Sequence, residues 1–300
     1  MCLSEGHLMR CSKAFFGRDE IPVIDINQET LEELARQNSN LGLTVPGVQK
    51  KISLHLSDQD SPRLTLVGYP AGYILKPQTE EYRQLPEAED LVMDIADLMG
   101  VRTVAHGLID LNGEYAYITR RVDRAGGQVF AMEDFCQLSE RLTQDKYKGS
   151  YERCAGIIMR HSSVPGFDLS EFFLRLLVCF LTGNSDMHLK NFSLIERTPG
   201  GRDFVLSPAY DLLPVNVILP EDTEEAALTL NGKKSNLTRN DFLALANNIK
   251  LSEKAAKNMM ALVASKVDGA IDLCHHSYLD QDLKDTLIDL MRKRAERILP

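Results

Sequence analysis

An acid, a base and an amide lie close together in residues 183–191, which read Gly-Asn-Ser-Asp-Met-His-Leu-Lys-Asn. Asp186 and Asn191 stand five positions apart in this stretch, with His188 and Lys190 between them. That spacing is typical of phosphoryl-transfer loops, in which a carboxylate faces the acceptor hydroxyl and an amide oxygen faces a magnesium ion. The pattern therefore predicts a phosphoryl-transfer loop. The alternative is a polar loop in which Asp186 and Asn191 act as local caps and turn formers.

A second carboxylate, that of Asp211, is expected at the same place. Residues 192–195 and 204–206 are strand-like runs, and residues 198–201 between them read Thr-Pro-Gly-Gly, which is a turn composition. A hairpin of these two strands would return Asp211 to the end where Asn191 lies. Two oxygen ligands for one metal ion would then face a single gap.

A lysine and a glutamate in the first half of the chain fit the same chemistry. Lys76 ends an apolar strand-like run, and Glu89 lies in the first turn of a helix that Pro86 opens and Gly100 caps. Kinases hold the nucleotide phosphates with a strand lysine that a helix glutamate orients. The alternative is a surface lysine and a glutamate that the helix dipole favours. Strands are predicted at residues 52–56, 64–67 and 73–76.

An apolar helix is predicted to deliver the loop from a rigid support. Asp168 and Glu171 have the spacing of a capping box, so we expect this helix to begin there and to cover residues 172–181. Another helix is expected at residues 132–142. The chain crosses from the first lobe to the second just before it.

The C-terminal part of the chain is helical in pattern. Thr238 and Asp241 have capping-box spacing, and residues 240–262 could pass for a helix-turn-helix. Helix pairs of this kind usually only pack together, so we do not take them as a DNA-binding motif. A solvated face is expected for the basic residues of the last helix, Arg292, Lys293, Arg294 and Arg297.

Length and composition fit a two-lobed α+β protein. The chain has 300 residues, of which 44% are hydrophobic and 26% charged, and we place the lobes at residues 1–120 and 121–300. The net charge of -9 argues against a broad nucleic-acid surface. No signal peptide is visible, and the longest apolar run, residues 172–181, is too short to span a bilayer and contains Arg175. A cytoplasmic location is expected.

The cysteines indicate a reduced protein. The six of them show no paired C-x-x-C spacing. Cys2, His7 and Cys11 could be the remnant of a zinc site, but they lack the fourth ligand that a closed structural site requires. We therefore predict a frayed start without zinc.

Five motifs in a fixed order carry a family resemblance. They are residues 44–51 (Thr-Val-Pro-Gly-Val-Gln-Lys-Lys), 74–77 (Ile-Leu-Lys-Pro), 133–137 (Glu-Asp-Phe-Cys-Gln), 183–191 and 207–211 (Ser-Pro-Ala-Tyr-Asp). Together they resemble the HipA family of serine/threonine kinases, in which G-V-Q-x-K and D-x-H-x-K-N occur in this order. The resemblance implies a protein-kinase-like fold with a small mixed N-terminal lobe and a larger, mainly helical C-terminal lobe.

The resemblance implies roles for the residues of the loop. Asp186 corresponds to the catalytic base, and Asn191 and Asp211 correspond to the ligands of Mg²⁺. His188 and Lys190 correspond to residues that steady the transferred phosphate.

The resemblance also implies an ATP site. Lys76 corresponds to the nucleotide lysine and Glu89 to the acid that supports it, while Gly47, Gln49 and Lys51 correspond to the phosphate loop. This loop has one glycine, so it lacks the G-x-G-x-x-G signature of other kinases.

An autophosphorylation site is implied as well. Family members often carry a serine shortly before the phosphate-loop glycine, and the matching positions here hold Thr44 and Pro46, three residues and one residue before Gly47. Pro46 has no hydroxyl, so Thr44 is the sole acceptor at the matching positions. The alternative is a strand residue followed by a turn former.

Partners and a biological role follow from the same resemblance. Because the phosphate loop begins near residue 44, the chain resembles the short HipT form, which lacks an N-terminal subdomain. A small HipS-like protein would replace that subdomain, and a HipB-like helix-turn-helix antitoxin would bring the pair to DNA. The implied function is that of a toxin kinase of a type II toxin-antitoxin system, linked to persistence, with an aminoacyl-tRNA synthetase as substrate. Other readings are a small-molecule or lipid kinase, or a catalytically silent partner-binding subunit.

Overall fold

A computed structural model gives the fold. It describes residues 12–13, 15–18, 22–24, 51–57, 63–66, 71–111 and 113–298. These residues form a smaller lobe built on one sheet and a larger, mainly helical lobe, which is the α+β plan expected. Three expected site residues, Thr44, Gly47 and Gln49, lie outside the described residues, as does the N-terminal group of Cys2, His7 and Cys11 for which no zinc is predicted.

A six-stranded sheet forms the smaller lobe. Its strands are β1 (Val23–Ile24), β2 (Ile52–Leu56), β3 (Arg63–Leu66), β4 (Tyr73–Pro77), β5 (His106–Leu111) and β6 (Glu114–Arg120), in the order β1-β3-β2-β4-β6-β5. β1 and β3 pair in parallel and the other neighbours pair antiparallel. The alternation of buried Leu54 and exposed His55 explains why β2 could be predicted.

Helix α1 (Leu85–Leu98) packs on this sheet and carries Glu89. It has a proline in its first turn, and the left-handed Gly100 follows its end with a φ of 92°, as the sequence predicted. Leu91 and Ile95 are buried on its inner face. The helix therefore holds Glu89 against β4, the strand that carries Lys76.

The prediction of a helix at residues 132–142 is wrong. The chain forms a short strand there, β9 (Met132–Asp134), followed by a single helical turn, α2 (Phe135–Leu138). β9 follows the two-residue strands β7 (Arg124–Ala125) and β8 (Gln128–Val129). The side chain of Asp134 accepts from the backbone nitrogen of Gln137, and the Gln137 side chain accepts from that of Asp134. This capping box starts the helix only after the strand has ended.

Helix α4 begins earlier than the sequence suggested. Helix α3 (Tyr151–His161) precedes it, and α4 runs over Pro165–Thr182 with proline in its first turn. The expected capping box at Asp168 and Glu171 is wrong, because Asp168 instead accepts hydrogen bonds from the Ser162 hydroxyl and the Leu206 backbone. The carboxylate thus links the helix to the strand beside it, and α4 forms the centre of the core.

The predicted hairpin is present. β10 (Ser193–Glu196) and β11 (Phe204–Leu206) pair antiparallel, and β9 lies on the other side of β10. The turn between them contains Gly200 with a φ of 73°. The chain that leaves β11 therefore returns toward the start of β10, where the loop ends.

Helices α5 (Val215–Ile218), α6 (Arg239–Asn248), α7 (Glu253–His276) and α8 (Gln281–Ile298) complete the larger lobe. The predicted capping box of Thr238 and Asp241 starts α6. The expected solvated basic face on α8 is confirmed for Arg292, Lys293 and Arg297, which are exposed, and is wrong for Arg294. Arg294 is buried and donates to the backbone oxygen of Phe180, and Arg297 donates to Glu225. Among the described residues, no helix has the length and apolar character that crossing a membrane requires.

Gly183 ends α4 in a conformation that other residues rarely adopt, with a φ of 80°. An added Cβ would lie 2.5 Å from Cδ2 of Leu290 on α8. We expect Gly183→Ala to lower the free energy of unfolding by about 2 kcal/mol, because it combines backbone strain with overpacking. Gly200→Ala is the matched control, since Gly200 has a similar φ and no atom within 4 Å of an added Cβ. It should lose only about 1 kcal/mol. If urea unfolding showed the same loss of unfolding free energy in both variants, the prediction would be wrong, because the Leu290 side chain would then move aside without cost.

Candidate functional site

Lys76 lies between two carboxylates. Its Nζ donates to Oε1 of Glu89 at 2.5 Å and also to Oδ1 of Asp211. Nζ of Lys51 donates to the other oxygen of Asp211 at 2.7 Å. The structure thus joins four of the expected residues, which come from β4, α1, the start of β2 and the chain after β11.

Burial and charge act against each other in this cluster. Burial would raise the pKa of Asp211, but Lys51 and Lys76 outweigh it and hold that pKa well below its ordinary range. Burial likewise opposes the charged form of Lys76, yet the two carboxylates raise its pKa. Asp211 is therefore ionised and Lys76 is charged. Burial raises the pKa of Glu89 against the pull of Lys76, and Oε2 of Glu89 has no hydrogen-bond partner among the described residues.

Side-chain hydrogen bonds hold the loop from residue 183 to residue 191 in shape. The side chain of Asn184 accepts from the backbone nitrogen of Asp186 at 3.2 Å, and Ser185 donates to Asp222 at 2.6 Å. A 3₁₀ turn, Leu189–Asn191, closes the loop. Nδ2 of Asn191 donates to the backbone oxygen of Asp186 at 3.0 Å. This bond uses the donor side of the Asn191 amide, so its oxygen remains available as an acceptor.

Tyr147 contacts the carboxylate of Asp186. Its hydroxyl donates to Oδ1 of Asp186 at 2.6 Å, and its ring meets the ring of His188 edge to face at 5.1 Å. Sequence reasoning did not identify Tyr147, which lies 39 positions before Asp186 and belongs to no motif. No local pattern could have found it.

His188 and Lys190 have different surroundings. Nζ of Lys190 pairs with Asp134 at 2.9 Å. His188 is buried; burial lowers its pKa although Asp186 opposes that effect, and its Nδ1 has no hydrogen-bond partner within the described part of the chain. Both residues lie in the loop, as expected.

The hairpin brings the chain before Asp211 back to the loop. The hydroxyl of Tyr210 lies 2.5 Å from the hydroxyl of Ser193 and donates to the backbone oxygen of Lys190 at 3.1 Å. Asp211 itself has a left-handed backbone with a φ of 58°. Its carboxylate is thereby turned toward Lys51 and Lys76.

A buried arginine supports this segment from below. Arg175 on α4 is fully buried and donates to the backbone oxygen of Ser207 at 2.9 Å, while Glu171 lies 3.5 Å away. Its guanidinium also lies 6.0 Å from the ring centre of Phe192. No sequence pattern indicated this contact, since Arg175 stood out only as a charge in an apolar run. The hydrogen bond from Arg175 therefore holds Ser207, the first residue of the segment that ends at Asp211.

The donor atoms suit a hard divalent cation. Asp211 offers an ionised carboxylate and Asn191 an amide oxygen, the kind of ligands that Mg²⁺ takes together with water and phosphate oxygens. Within the described ranges, no group of three or more His, Cys, Asp and Glu side chains is arranged to hold a metal. The fit thus rests on these two residues.

A second charged cluster lies between α1 and β5. Nε2 of His106 is 3.3 Å from Asp94 and 3.9 Å from Asp90, and its ring stacks on Tyr117, over which Lys76 lies. Burial would lower the pKa of His106, but hydrogen bonding to Asp94 and the charge of Asp90 raise it to about 9. Burial raises the pKa of Asp90 to about 7.

The folded protein should therefore lose stability as the pH rises from about 6.5, the ordinary pKa of histidine, to about 9. His106 binds its proton more tightly in the folded state, so its contribution is complete below that window and absent above it. We expect His106→Gln to remove on the order of 2 kcal/mol of this pH dependence. The measurement is urea unfolding at both pH values. His55→Gln, at an exposed position of β2, is the control and should behave like the wild type. If the unfolding free energy of His106→Gln depended on pH as strongly as that of the wild type, His106 would not be the group responsible.

Comparison with known proteins places this geometry in context. The HipA-like C-terminal domain family matches residues 43–271. Y4dM of Sinorhizobium fredii, a candidate kinase by name, is 35% identical over 236 residues, which are 73% of this chain and 56% of that protein. A candidate kinase of Haemophilus influenzae is 27% identical and covers 84% of this chain and 81% of its own length.

Solved structures share the fold. A chain in the complex of HipA, HipB and operator DNA from Shewanella oneidensis MR-1 superposes with a TM-score of 0.71 at 19% identity, over 84% of this chain and 64% of that one. The Helicobacter pylori proinflammatory kinase CtkA does so with a TM-score of 0.59 at 16% identity, over 82% of this chain and 93% of its own. These likenesses establish a two-lobed, kinase-like fold.

The chain spans little more than half the length of Y4dM. The family match nevertheless covers most of the chain and includes every residue of the cluster around Lys76 and the whole loop from 183 to 191. The chain belongs to the family of the HipA-like C-terminal domain.

Proposed function

We propose that this chain is an ATP- and Mg²⁺-dependent protein serine/threonine kinase and acts as the toxin of a type II toxin-antitoxin system. One observation carries the kinase proposal: Lys76 is bonded at once to Glu89 on α1 and to Asp211 beyond the hairpin. Kinases need a lysine paired with a helix glutamate and an aspartate that holds the metal. The family membership and the fold support the same reading.

In this proposal the loop carries the transfer step. The carboxylate of Asp186 accepts the proton of the acceptor hydroxyl as its oxygen attacks the γ-phosphorus of ATP. His188 and Lys190 steady the phosphoryl group. Asn191 and Asp211 would hold Mg²⁺, which would supply neutralisation of charge on the phosphate oxygens.

The nucleotide is positioned by the smaller lobe. Lys76 contacts the phosphates and Glu89 keeps the ammonium group in place, while Gly47, Gln49 and Lys51 form the phosphate loop. The contact of Lys51 with Asp211 supports this placement, because it sets the end of the phosphate loop beside a proposed metal ligand.

Three partners belong to the proposal. A HipB-like antitoxin is supported by the Shewanella complex, which contains HipA, HipB and operator DNA. A HipS-like small protein and an aminoacyl-tRNA synthetase as substrate rest on the sequence resemblance. Binding to DNA would occur only through the antitoxin, in keeping with the net charge of -9. We place the enzyme in the cytoplasm.

The test uses radiolabelled ATP with the purified protein and a cell lysate. Label on a discrete protein band, lost when magnesium is chelated, supports the proposal. Label on a soluble metabolite or a lipid would indicate a small-molecule or lipid kinase instead. No label on any molecule would indicate a catalytically silent partner-binding subunit.

Thr44 is the proposed autophosphorylation site. A phosphate there would add nearly two negative charges seven positions before Lys51 in the sequence and would compete with ATP for the same positive groups. We expect mass spectrometry of active protein to find one phosphate in residues 41–50. Thr44→Asp should bind ATP poorly, whereas Thr44→Ala should stay active. Unmodified Thr44 in a preparation that phosphorylates its substrate would refute the idea.

A further inference from the structure

The hydroxyl of Tyr147 has the contact that a phosphate acceptor would need. It donates to Oδ1 of Asp186 at 2.6 Å, within the range of charge-assisted O–H···O hydrogen bonds. Burial and the neighbouring Asp186 raise the pKa of Tyr147, so the phenol keeps its proton and acts as a donor. A general base reaches its acceptor hydroxyl over the same distance.

The side chain of Tyr147 is held by contacts that it can leave. Tyr147 is 44% exposed, and its ring meets His188 edge to face and lies under Nζ of Lys146 at 4.9 Å. The backbone around it is fixed separately, because the backbone nitrogen of Leu189 donates to the oxygen of Lys146 at 3.2 Å. A rotation of the Tyr147 side chain toward solvent would therefore break a few contacts and no part of the core.

We propose that Tyr147 is an acceptor-site residue whose hydroxyl occupies the place of the substrate hydroxyl on Asp186 and must leave before a substrate or water can react. This inference rests on the proposed kinase function and on Asp186 as its base. A competing contact of this kind lowers the rate of the resting enzyme with every acceptor. It also slows hydrolysis of ATP when no substrate is bound, since water must displace the Tyr147 hydroxyl from Oδ1 of Asp186.

Tyr147→Phe tests the proposal, because it removes one oxygen and keeps the ring on His188. The probe is hydrolysis of ATP in magnesium buffer, with water as acceptor. In that reaction water oxygen bonds to the γ-phosphorus, the bond to the ADP oxygen breaks, and Asp186 takes the proton. Loss of one hydrogen bond to a charged group should raise kcat about tenfold to a hundredfold. The KM for ATP should stay unchanged, since the substitution keeps the ring of residue 147 on His188.

The matched control is Tyr278→Phe, which also removes a tyrosine hydroxyl. Tyr278 is 61% exposed, packs on Tyr115 and lies far along the chain from the loop. It should hydrolyse ATP like the wild type. A lower kcat in Tyr147→Phe would mean that the hydroxyl orients Asp186 during the reaction, and an unchanged kcat would mean that the contact is idle. Either result overturns the proposal, as would phosphotyrosine at position 147 in active wild-type protein.

ATP hydrolysis by Asp186→Asn distinguishes a wrong role for Asp186 from a wrong role for Tyr147. If Asp186→Asn hydrolysed ATP as fast as the wild type, the proposed function of Asp186 would fall, and the inference about Tyr147 with it. If Asp186→Asn were inactive while Tyr147→Phe matched the wild type, only the inference about Tyr147 would be wrong.

Discussion

Replacing Asp186 with asparagine should lower Mg²⁺-dependent phosphotransfer by about three orders of magnitude without unfolding the protein. General-base catalysis contributes about 10²–10⁴ to such rates. The substitution keeps the size of the side chain. The hydrogen bonds that join residue 186 to Asn184 and Asn191 involve its backbone, so they remain. The amide oxygen can still accept from Tyr147. The loss is therefore one of proton transfer and not of loop structure.

The assay compares initial rates of phosphate transfer from radiolabelled ATP, together with thermal unfolding. Asp289→Asn, an exposed aspartate on α8, is the matched control and should retain full activity. Asp211→Ala should be equally inactive, but it leaves Lys51 and Lys76 without their shared partner, so its stability should fall as well. Turnover of Asp186→Asn close to that of the wild type would remove Asp186 from the reaction.

Local signals explain most of what the sequence predicted. The alternation in β2 and β4, the proline and glycine at the ends of α1, and the turn between β10 and β11 act over a few residues, and each has its predicted structure. The hairpin also accounts for the return of Asp211 to the loop. The pairing of Lys76 with Glu89 could be expected, because a strand and the next helix pack together.

Contacts between distant segments could not be predicted. Tyr147 meets Asp186, Arg175 meets Ser207, and Arg294 meets Phe180 across 114 positions. None of these pairs has a spacing rule, since tertiary packing alone brings them together. The error at residues 132–142 has a related cause. The spacing of Met132, Phe135 and Cys136 fits a helix, but pairing of Met132 with Ile195, which no local pattern shows, decides for the strand.

Lys76→Met should abolish phosphotransfer and also destabilise the protein, and the two effects can be separated. Lys76 and Glu89 are 3% and 0% exposed, so the substitution leaves a carboxylate buried without its partner. Breaking a buried ion pair in this way costs about 3–5 kcal/mol. Activity should fall at least about a hundredfold, because the ammonium group that faces the phosphates is lost.

The double variant Lys76→Met with Glu89→Gln separates structure from chemistry. A neutral glutamine needs no ammonium partner, so urea unfolding should show most of the lost stability restored. Phosphotransfer should stay as low as in Lys76→Met, because the nucleotide still lacks its cation. Glu89→Gln alone should be less impaired than either, since Asp211 continues to hold Lys76. Recovery of activity in the double variant would mean that Lys76 only stabilises the lobe and does not contact the nucleotide.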